Sequence, residues 1–386
     1  MTEFADSDSL WRLIFGASPL EDDVSRWKLQ RFELTRKIIL DQRHGGPCGI
    51  LATVQAFLLI DLIFESCVAK NFHDLQTLEV DVVRRALERA LLKILSRAGH
   101  SAQVVILRWG ESEGKFFTQP MNTPEELTRL SLLEFLATMV VHRGIETVKS
   151  DMDDISNPLV SRFGHCSQEI LNLVLFGRAT SNVFDGQENL GEGMCLRGVP
   201  EEAEISVGLL SELEALRYVT VGSKLKNPKY PFWLLGSTNH YTLLFGFRQV
   251  KVAKKDVYIT AFEAHAFDEG IATGESVREI AKDLKLSDQE KVTLESLVKE
   301  NVLLLSDYQE WARTVRGESP RPASPRAKNL ELVFIDGQHP VSVLAVTLSE
   351  HEIGLPESTI DYGENLRSIV RTKWPEYGHV HAVKLV

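Results

Sequence analysis

The chain has 386 residues, of which 44% are hydrophobic and 25% are charged, a composition typical of a globular protein with one large core or two small ones. Its formal net charge of -11 argues against nucleic acid or an anionic membrane as the main partner, because both bind basic surfaces. Its four cysteines, Cys48, Cys67, Cys166 and Cys195, are scattered without a C-x-x-C pair, so we predict no zinc or other metal site.

The start of the chain does not have the pattern of a targeting segment. Residues 1–20 are mixed and acidic, which argues against a signal peptide, and no run of about 18 apolar residues predicts a membrane span. Together with the unpaired cysteines, this favours a reducing compartment, and we expect the protein in the cytoplasm or the nucleus.

The first stretch that suggests chemistry is a cysteine at the head of an apolar run. Cys48 follows Gly45, Gly46 and Pro47 and precedes the apolar residues 50–63. Because Pro is favoured in the first turn of a helix and glycines permit a sharp turn into it, Cys48 is predicted at a helix N-terminus. The partial positive charge there favours the thiolate, which is the nucleophilic form of cysteine.

Two interpretations of this stretch stay open on its residues alone. Most cysteines are buried and inert, so Cys48 needs a base from elsewhere in the chain to be a nucleophile. Gln42, six residues upstream, is either an amide donor for an oxyanion formed at Cys48 or a solvated loop residue.

The remaining segments mix helical and strand periodicities, with no internal repeat, and predict an α+β fold. In chain order the predictions are a helix or extended arm over 27–40, a buried helix after Cys48, an amphipathic helix over 81–96, a strand over 102–107, a helix over 127–141 that starts near Thr123, a helix over 170–176, two strands over 232–247, and strands over 330–335, 341–348 and 380–386.

His240 is the candidate base. It lies at the opening of the second strand in residues 232–247, beside a Gly-Ser-Thr-Asn turn. A general base is commonly held in such a place, fixed by a sheet on one side and open to solvent on the other. The alternative is a structural histidine at a strand end.

A second kind of pattern occupies residues 262–316. Short helices joined by polar turns suggest two helix pairs, somewhat like a pair of EF-hands, but no D-x-D-x-D-G loop ending in Glu is present, so calcium binding is not predicted. Residues 317–328 are rich in Pro, Ser and Arg and are predicted to form a flexible loop. We therefore assign residues 1–261 and 329–386 to one domain.

Several of these segments together resemble the MINDY deubiquitinases, in family order. The blocks are Gln42 with residues 45–49 (GGPCG), residues 164–173 (GHCSQEILNL) with 181–186 (SNVFDG), residues 221–228 (VGSKLKNP) with 239–245 (NHYTLLF), and residues 333–337 (VFIDG). The helical insert resembles most the MINDY-3 branch, which carries an EF-hand-like insertion. The chain departs from the family at Thr238 and Asn239, where Ser or Glu-Ser is usual, and at Tyr241, where Phe is usual.

The resemblance implies a papain-like cysteine protease fold with a helical, EF-hand-like insertion. It also implies hydrolysis of isopeptide bonds in polyubiquitin, with a preference for lysine-forty-eight-linked chains. The matching residues would be Cys48 as nucleophile, His240 as general base and acid, and Gln42 in the oxyanion hole, with no cofactor. Asp336, Asn239 or a backbone carbonyl could orient His240, and the sequence does not choose among them.

The resemblance leaves two functions open, with polyubiquitin and ubiquitinated proteins as partners in either case. The chain is either an active cysteine isopeptidase or a catalytically decayed ubiquitin-binding or scaffold protein on the same fold. The intact Cys48, His240 and Gln42 favour the enzyme, because a decayed enzyme commonly loses one of these groups. Acyl transfer on this fold is a third possibility that residue types do not exclude.

Overall fold

The structure, a computed structural model, describes residues 2–99, 104–191, 194–238, 240–248, 257–266, 271–299, 301–315, 329–338, 340–349, 359–360, 363–375, 377 and 379–385. The chain divides into two compact units, residues 1–249 with 328–386 and residues 250–327. From the sequence we placed the start of the insert at residue 262, whereas the division falls near residue 250. The predicted flexible loop, residues 317–328, lies outside the described residues.

Sixteen α-helices lie in the described residues. They are α1 (Ser7–Phe15), α2 (Glu21–Leu29), α3 (Cys48–Ile60), α4 (Phe72–Thr77), α5 (Val80–Ala98), α6 (Glu125–Thr128), α7 (Leu132–Arg143), α8 (Ile145–Asp151), α9 (Gln168–Phe176), α10 (Glu212–Ala215), α11 (Ser223–Lys226), α12 (Val257–His265), α13 (Gly274–Asp283), α14 (Asp288–Glu295), α15 (Leu305–Val315) and α16 (Gly363–Arg371). One π-helical turn, Asp61–Glu65, extends α3, and one 3-10 turn spans Arg162–Gly164.

The strands are mostly short. They are β1 (Thr2–Glu3), β2 (Leu34–Thr35), β3 (Ile39–Leu40), β4 (Val105–Gly110), β5 (Lys115–Pro120), β6 (Gln187–Gly191), β7 (Met194–Arg197), β8 (Gly208–Ser211), β9 (Phe232–Gly236), β10 (Tyr241–Phe245), β11 (Ile271–Thr273), β12 (Val302–Leu304), β13 (Leu330–Asp336), β14 (Ser342–Ser349), β15 (Thr359–Ile360) and β16 (His379–Lys384). This mixture of separate helical and strand regions confirms the predicted α+β class.

A seven-stranded sheet organises the first unit. Its strand order is β15-β16-β14-β13-β10-β9-β8, and every neighbouring pair is antiparallel except β8 with β9. The predicted strands over 232–247 are confirmed as β9 and β10, and those over 330–335 and 341–348 as β13 and β14. β10 lies antiparallel beside β13, so the residue before β10 and the residues after β13 are neighbours at the same end of these two strands.

Helix α3 is the buried centre of the first unit, as its sequence predicts. All of its thirteen residues except Ala52 are buried, and it contacts α5, α9 and β10. A helix that is apolar on every side has no solvent face and must be surrounded. Residues 48–65 also have the length and mean hydropathy, 1.8, of a membrane span, but 89% of this window is buried inside the fold, as in a core helix.

Two predicted elements of the first unit differ from the structure. The helix expected over 127–141 begins later, because α6 is a single turn and the long helix α7 starts after Ser131, whose hydroxyl accepts the N–H of Glu134 in a capping box. The strand predicted over 102–107 is β4, Val105–Gly110, which pairs with β5, a strand that the sequence pattern did not reveal. A local capping box sets the start of α7, and pairing with β5 sets the extent of β4.

The second unit has its own small core. Within it, α12 contacts α13 and α15. The short strands β11 and β12 pair antiparallel. Its buried side chains are apolar or aromatic and include Phe262, Tyr308 and Trp311. These contacts place α12 with the second unit, although part of α12 precedes residue 262.

Candidate active site

Cys48 is the first residue of α3, which confirms the predicted position at a helix N-terminus. Its side chain is 3% exposed, and its sulfur lies 3.7 Å from the carbonyl oxygen of Gly46. Gly46 has φ +120°, and a Cβ there would fall 2.4 Å from the carbonyl oxygen of Gly164. Only glycine fits this turn, so Gly46 determines how the chain enters α3.

His240 and Asp336 come together from adjacent strands. His240 immediately precedes β10, and Asp336 ends β13. The pairing of Leu243 with Ile335, extended by one residue, sets Asp336 opposite Thr242 and so on the same face as His240. The distance from Nε2 of His240 to Oδ1 of Asp336 is 2.8 Å, and the same oxygen accepts the N–H of Gln338 at 2.9 Å.

The sulfur of Cys48 is a second group that acts on the His240 ring and raises its pKa. Burial alone would lower the pKa of His240, but the hydrogen bonds with Asp336 and Cys48 and the charges of both groups raise it to about 9. Because Nε2 is engaged with Asp336, Nδ1 is left for the sulfur. The imidazole is therefore held in its charged form at neutral pH between two groups that stabilise it.

Gln42 is buried, with 4% of its surface exposed, and is not a solvated loop residue. Its side-chain Nε2 donates to the carbonyl oxygen of His44 at 2.9 Å, and its backbone N–H donates to the carbonyl oxygen of Gly337 at 2.8 Å. An amide nitrogen carries two hydrogens, so the bond to His44 orients the Gln42 amide and leaves the second hydrogen for a ligand.

Gln42 and Cys48 line one small cavity of about 20 Å³, which is enough for roughly one water molecule. The full lining is Leu40, Gln42, Cys48, Leu51, Ala52, Gln55, Tyr241, Thr242, Leu243, Ile335 and Gly337. Most of this lining is apolar, and the Gln42 side chain is one of its few polar members beside Cys48. The four residues singled out from the sequence thus meet at one place.

The structure adds Cys166, which the sequence did not connect with Cys48. Cys166 is buried, and burial raises the pKa of its thiol. A Cβ on Gly49 would lie 3.4 Å from the Cys166 sulfur. Cys166 therefore packs against the first turn of α3, and no local pattern in the sequence signals this approach.

Another His–Asp pair lies in the second unit. His265 pairs with Asp283 at 2.8 Å in the second unit. Asn239, the weaker candidate to orient His240, and His339 lie outside the described residues. Across the parts of the chain that the structure describes, no group of three or more His, Cys, Asp or Glu side chains is placed to hold a metal ion.

With this geometry established, comparison with known proteins becomes informative. The family model described as "Deubiquitinating enzyme MINDY-3/4, conserved domain" matches residues 12–128 and 114–298. The chain belongs to this family. The match includes Gln42, Cys48 and His240, whereas Asp336 lies beyond it.

Individual relatives agree with the family. Ubiquitin carboxyl-terminal hydrolase MINDY-3 of Homo sapiens is 32% identical over 276 residues, 58% of this chain and 59% of that protein. The Drosophila melanogaster MINDY-3 homolog is 27% identical over 321 residues, 63% of this chain and 57% of that protein. Probable ubiquitin carboxyl-terminal hydrolase MINDY-4 of Mus musculus is 34% identical over 255 residues, 57% of this chain and 34% of that protein.

The matches to the MINDY-3 relatives thus span about three fifths of the length of those proteins. No solved structure matches the chain. The family is established by sequence, and the arrangement of the site is described by this structure alone.

Proposed function

We propose that the protein is a cysteine isopeptidase that hydrolyses isopeptide bonds in polyubiquitin and ubiquitinated proteins. The observation that carries this proposal is the array Cys48–His240–Asp336 with Gln42 in the wall of the adjoining cavity, in a chain that belongs to a deubiquitinase family. Every group needed for thiol-dependent acyl transfer to water is a protein side chain, so the reaction uses no cofactor.

In the first half of the reaction, the Cys48 thiolate attacks the carbonyl carbon of ubiquitin's C-terminal glycine. The carbonyl oxygen becomes an oxyanion, which the free hydrogen of the Gln42 amide and the backbone N–H of Cys48 stabilise. His240 donates its Nδ1 proton to the leaving lysine amine as the C–N bond breaks, which leaves a thioester on Cys48. Asp336 accepts from Nε2 throughout and keeps the ring oriented.

In the second half, neutral His240 removes a proton from water, which attacks the thioester. The C–S bond breaks, the thiolate and imidazolium are restored, and ubiquitin leaves as a carboxylic acid that loses its proton to solvent. The raised pKa of His240, about 9, favours the charged imidazole at neutral pH, which is the starting point of this cycle.

Three finer statements belong to the same proposal. A papain-like fold is supported by the nucleophile at the head of the central helix α3 and the base at the start of strand β10. A preference for lysine-forty-eight-linked chains is supported by the family resemblance. Location in the cytoplasm or nucleus is supported by four free cysteines, which a reducing compartment preserves.

A ubiquitin probe with an electrophilic C-terminus tests the reaction. The probe should form a covalent adduct with the wild-type protein under reducing conditions, and Cys48→Ala should form none. Cys67→Ala is the matched control, because Cys67 is an exposed free cysteine, and it should react like the wild type. Digestion of chains of defined linkage and length then tests the linkage preference.

The rival function, a decayed ubiquitin-binding protein, predicts the opposite result. Such a protein would bind chains but would form no adduct and release no ubiquitin. An adduct that persists in Cys48→Ala would instead remove Cys48 from the mechanism.

A further inference from the structure

Gln55 is a buried polar residue in the most apolar helix of the chain. It lies seven residues, or two turns, after Cys48 on the same face of α3, and only 3% of its surface is exposed. A buried amide is retained only where its donor and acceptor are both used. The Gln55 side chain bonds with Leu40 in strand β3 and with Ile38 just before it, and Gln42 follows two residues after this strand.

The two hydrogen bonds of Gln55 replace a neighbouring strand. Its Oε1 accepts the N–H of Leu40 at 2.7 Å, and its Nε2 donates to the carbonyl oxygen of Ile38 at 3.0 Å. One residue of a parallel strand would bond these same two backbone groups. The side chain therefore fastens β3 to the helix that carries the nucleophile.

The pattern of backbone bonds explains why this edge needs a partner. On one edge β3 pairs with β2, and the N–H of Asp41 continues that pairing to the carbonyl oxygen of Glu33 at 2.9 Å. On the opposite edge, Leu40 bonds with Gln55, and two residues later Gln42 bonds with Gly337. The segment from β3 to Gln42 is thus hydrogen-bonded to α3 through Gln55 and to Gly337, next to Asp336 at the end of β13.

We propose that Gln55 is a positioning residue that fixes β3, and through it the amide of Gln42, relative to the Cys48 sulfur. Gln55 lines the same small cavity as Gln42 and Cys48. Without the two Gln55 hydrogen bonds, Ile38 and Leu40 are no longer hydrogen-bonded to the Gln55 side chain of α3. The inference rests on the proposed isopeptidase function and assigns Gln55 no contact with the substrate.

Gln55→Met keeps the length of the side chain and removes both hydrogen bonds. We expect kcat for ubiquitin hydrolysis to fall by about 10²-fold, since a misplacement of about 1 Å costs this much, with KM nearly unchanged. Alkylation of Cys48 by iodoacetamide forms no oxyanion, so its rate and pH profile should match the wild type. In a Gln42→Ala background, Gln55→Met should change kcat by less than about twofold, because the positioned group is already gone.

Thr138→Val is the matched control. The Thr138 hydroxyl is fully buried in α7, accepts the N–H of Leu107 at 2.9 Å and donates to the carbonyl oxygen of Glu134 at 2.7 Å. The Thr138→Val variant loses two buried hydrogen bonds, as Gln55→Met does, in a different part of the first unit. It should lower the unfolding temperature and leave kcat unchanged.

Gln55→Glu is the second variant, should Gln55→Met fail to fold. A protonated carboxyl makes both bonds and an ionised one cannot donate, so its kcat should approach the wild-type value at low pH and decline as pH rises. A wild-type kcat in Gln55→Met, a parallel loss of iodoacetamide reactivity, an additive loss in the Gln42→Ala background, or a Gln55→Glu variant that follows the wild-type pH profile would overturn the inference. A wild-type protein that hydrolyses no ubiquitin substrate would instead overturn the proposed function.

Discussion

Both compact units contain a histidine whose Nε2 lies 2.8 Å from an aspartate oxygen, His240 with Asp336 in the first and His265 with Asp283 in the second. The two pairs have the same local geometry but different surroundings. His240 also interacts electrostatically with the buried Cys48, whereas all four cysteines of the chain precede the second unit. A His–Asp pair is therefore no sign of catalysis by itself, and the third group decides its role.

The cores of the two units also differ in their buried polar side chains. In the first unit, buried amides such as Gln30, Gln42 and Gln55 bond with backbone groups around the site. In the described part of the second unit, every fully buried side chain is apolar or aromatic. Buried polar groups that are fully paired favour one geometry over its alternatives, so they are expected where atoms must be held in register for chemistry.

Substitution of His240, compared with the same substitution of His265, should have the largest effect on ubiquitin hydrolysis. His240→Ala removes the proton donor and the partner of the thiolate, so ubiquitin hydrolysis should fall by at least about 10³-fold. Binding of ubiquitin chains should remain measurable, because the fold is kept. His265→Ala, with the same aspartate pairing, should hydrolyse chains at the wild-type rate, and equal losses in the two variants would end the distinction between the pairs.

Removal of the oxyanion donor ranks next. Gln42→Ala should lower kcat by about 10²–10³-fold while the protein stays folded, since the backbone bond from residue 42 to Gly337 is kept. Steady-state kinetics and circular dichroism together measure this. An unchanged kcat would return Gln42 to a purely structural role.

A change of Asp336 should appear mainly in the pH dependence. His240 has a pKa of about 9, above its ordinary 6.5. Its protonation therefore stabilises the folded state fully below pH 6.5, and this contribution to the free energy of unfolding is lost as pH rises through about 9. Asp336→Asn removes one interaction that raises this pKa, so the alkaline limb of kcat/KM for ubiquitin hydrolysis, which needs protonated His240 as the acid, should move down by about one pH unit.

The same substitution in the second unit is the control. Asp283→Asn should leave the pH profile of ubiquitin hydrolysis unchanged. If the Asp336→Asn profile also stayed in place, Asp336 would not orient or charge His240, and Asn239 or a backbone carbonyl would become the candidate.

The smallest expected effect on activity comes from the second core. Trp311 packs against Tyr308 and Tyr258, and its ring N–H donates to Thr293 at 3.1 Å. Trp311→Ala should destabilise that unit by about 3–5 kcal/mol, measured by thermal unfolding or limited proteolysis. The rate of Cys48 alkylation should not change, and a matching loss of reactivity would show that the site depends on the second core.

Local sequence patterns predicted the parts of the site that lie within single elements. The apolar run after Cys48 predicted a central buried helix, and the turn before His240 predicted a histidine at a strand opening. The start of α7 was predicted too early, because Thr123 with Pro124 resembles a helix start as closely as Ser131 does. Capping signals identify possible helix ends, but tertiary packing chooses which are used.

The sequence by itself determined the fold class, the family and the position of Cys48, because periodicity, glycine placement and ordered motifs are local properties of the chain. Only the tertiary structure decided that Asp336 meets His240, that Cys166 lies against the head of α3, and that Gln55 binds the edge of β3. Each of these contacts joins elements whose register and crossing depend on how the whole core packs, and no short window of residues contains that information.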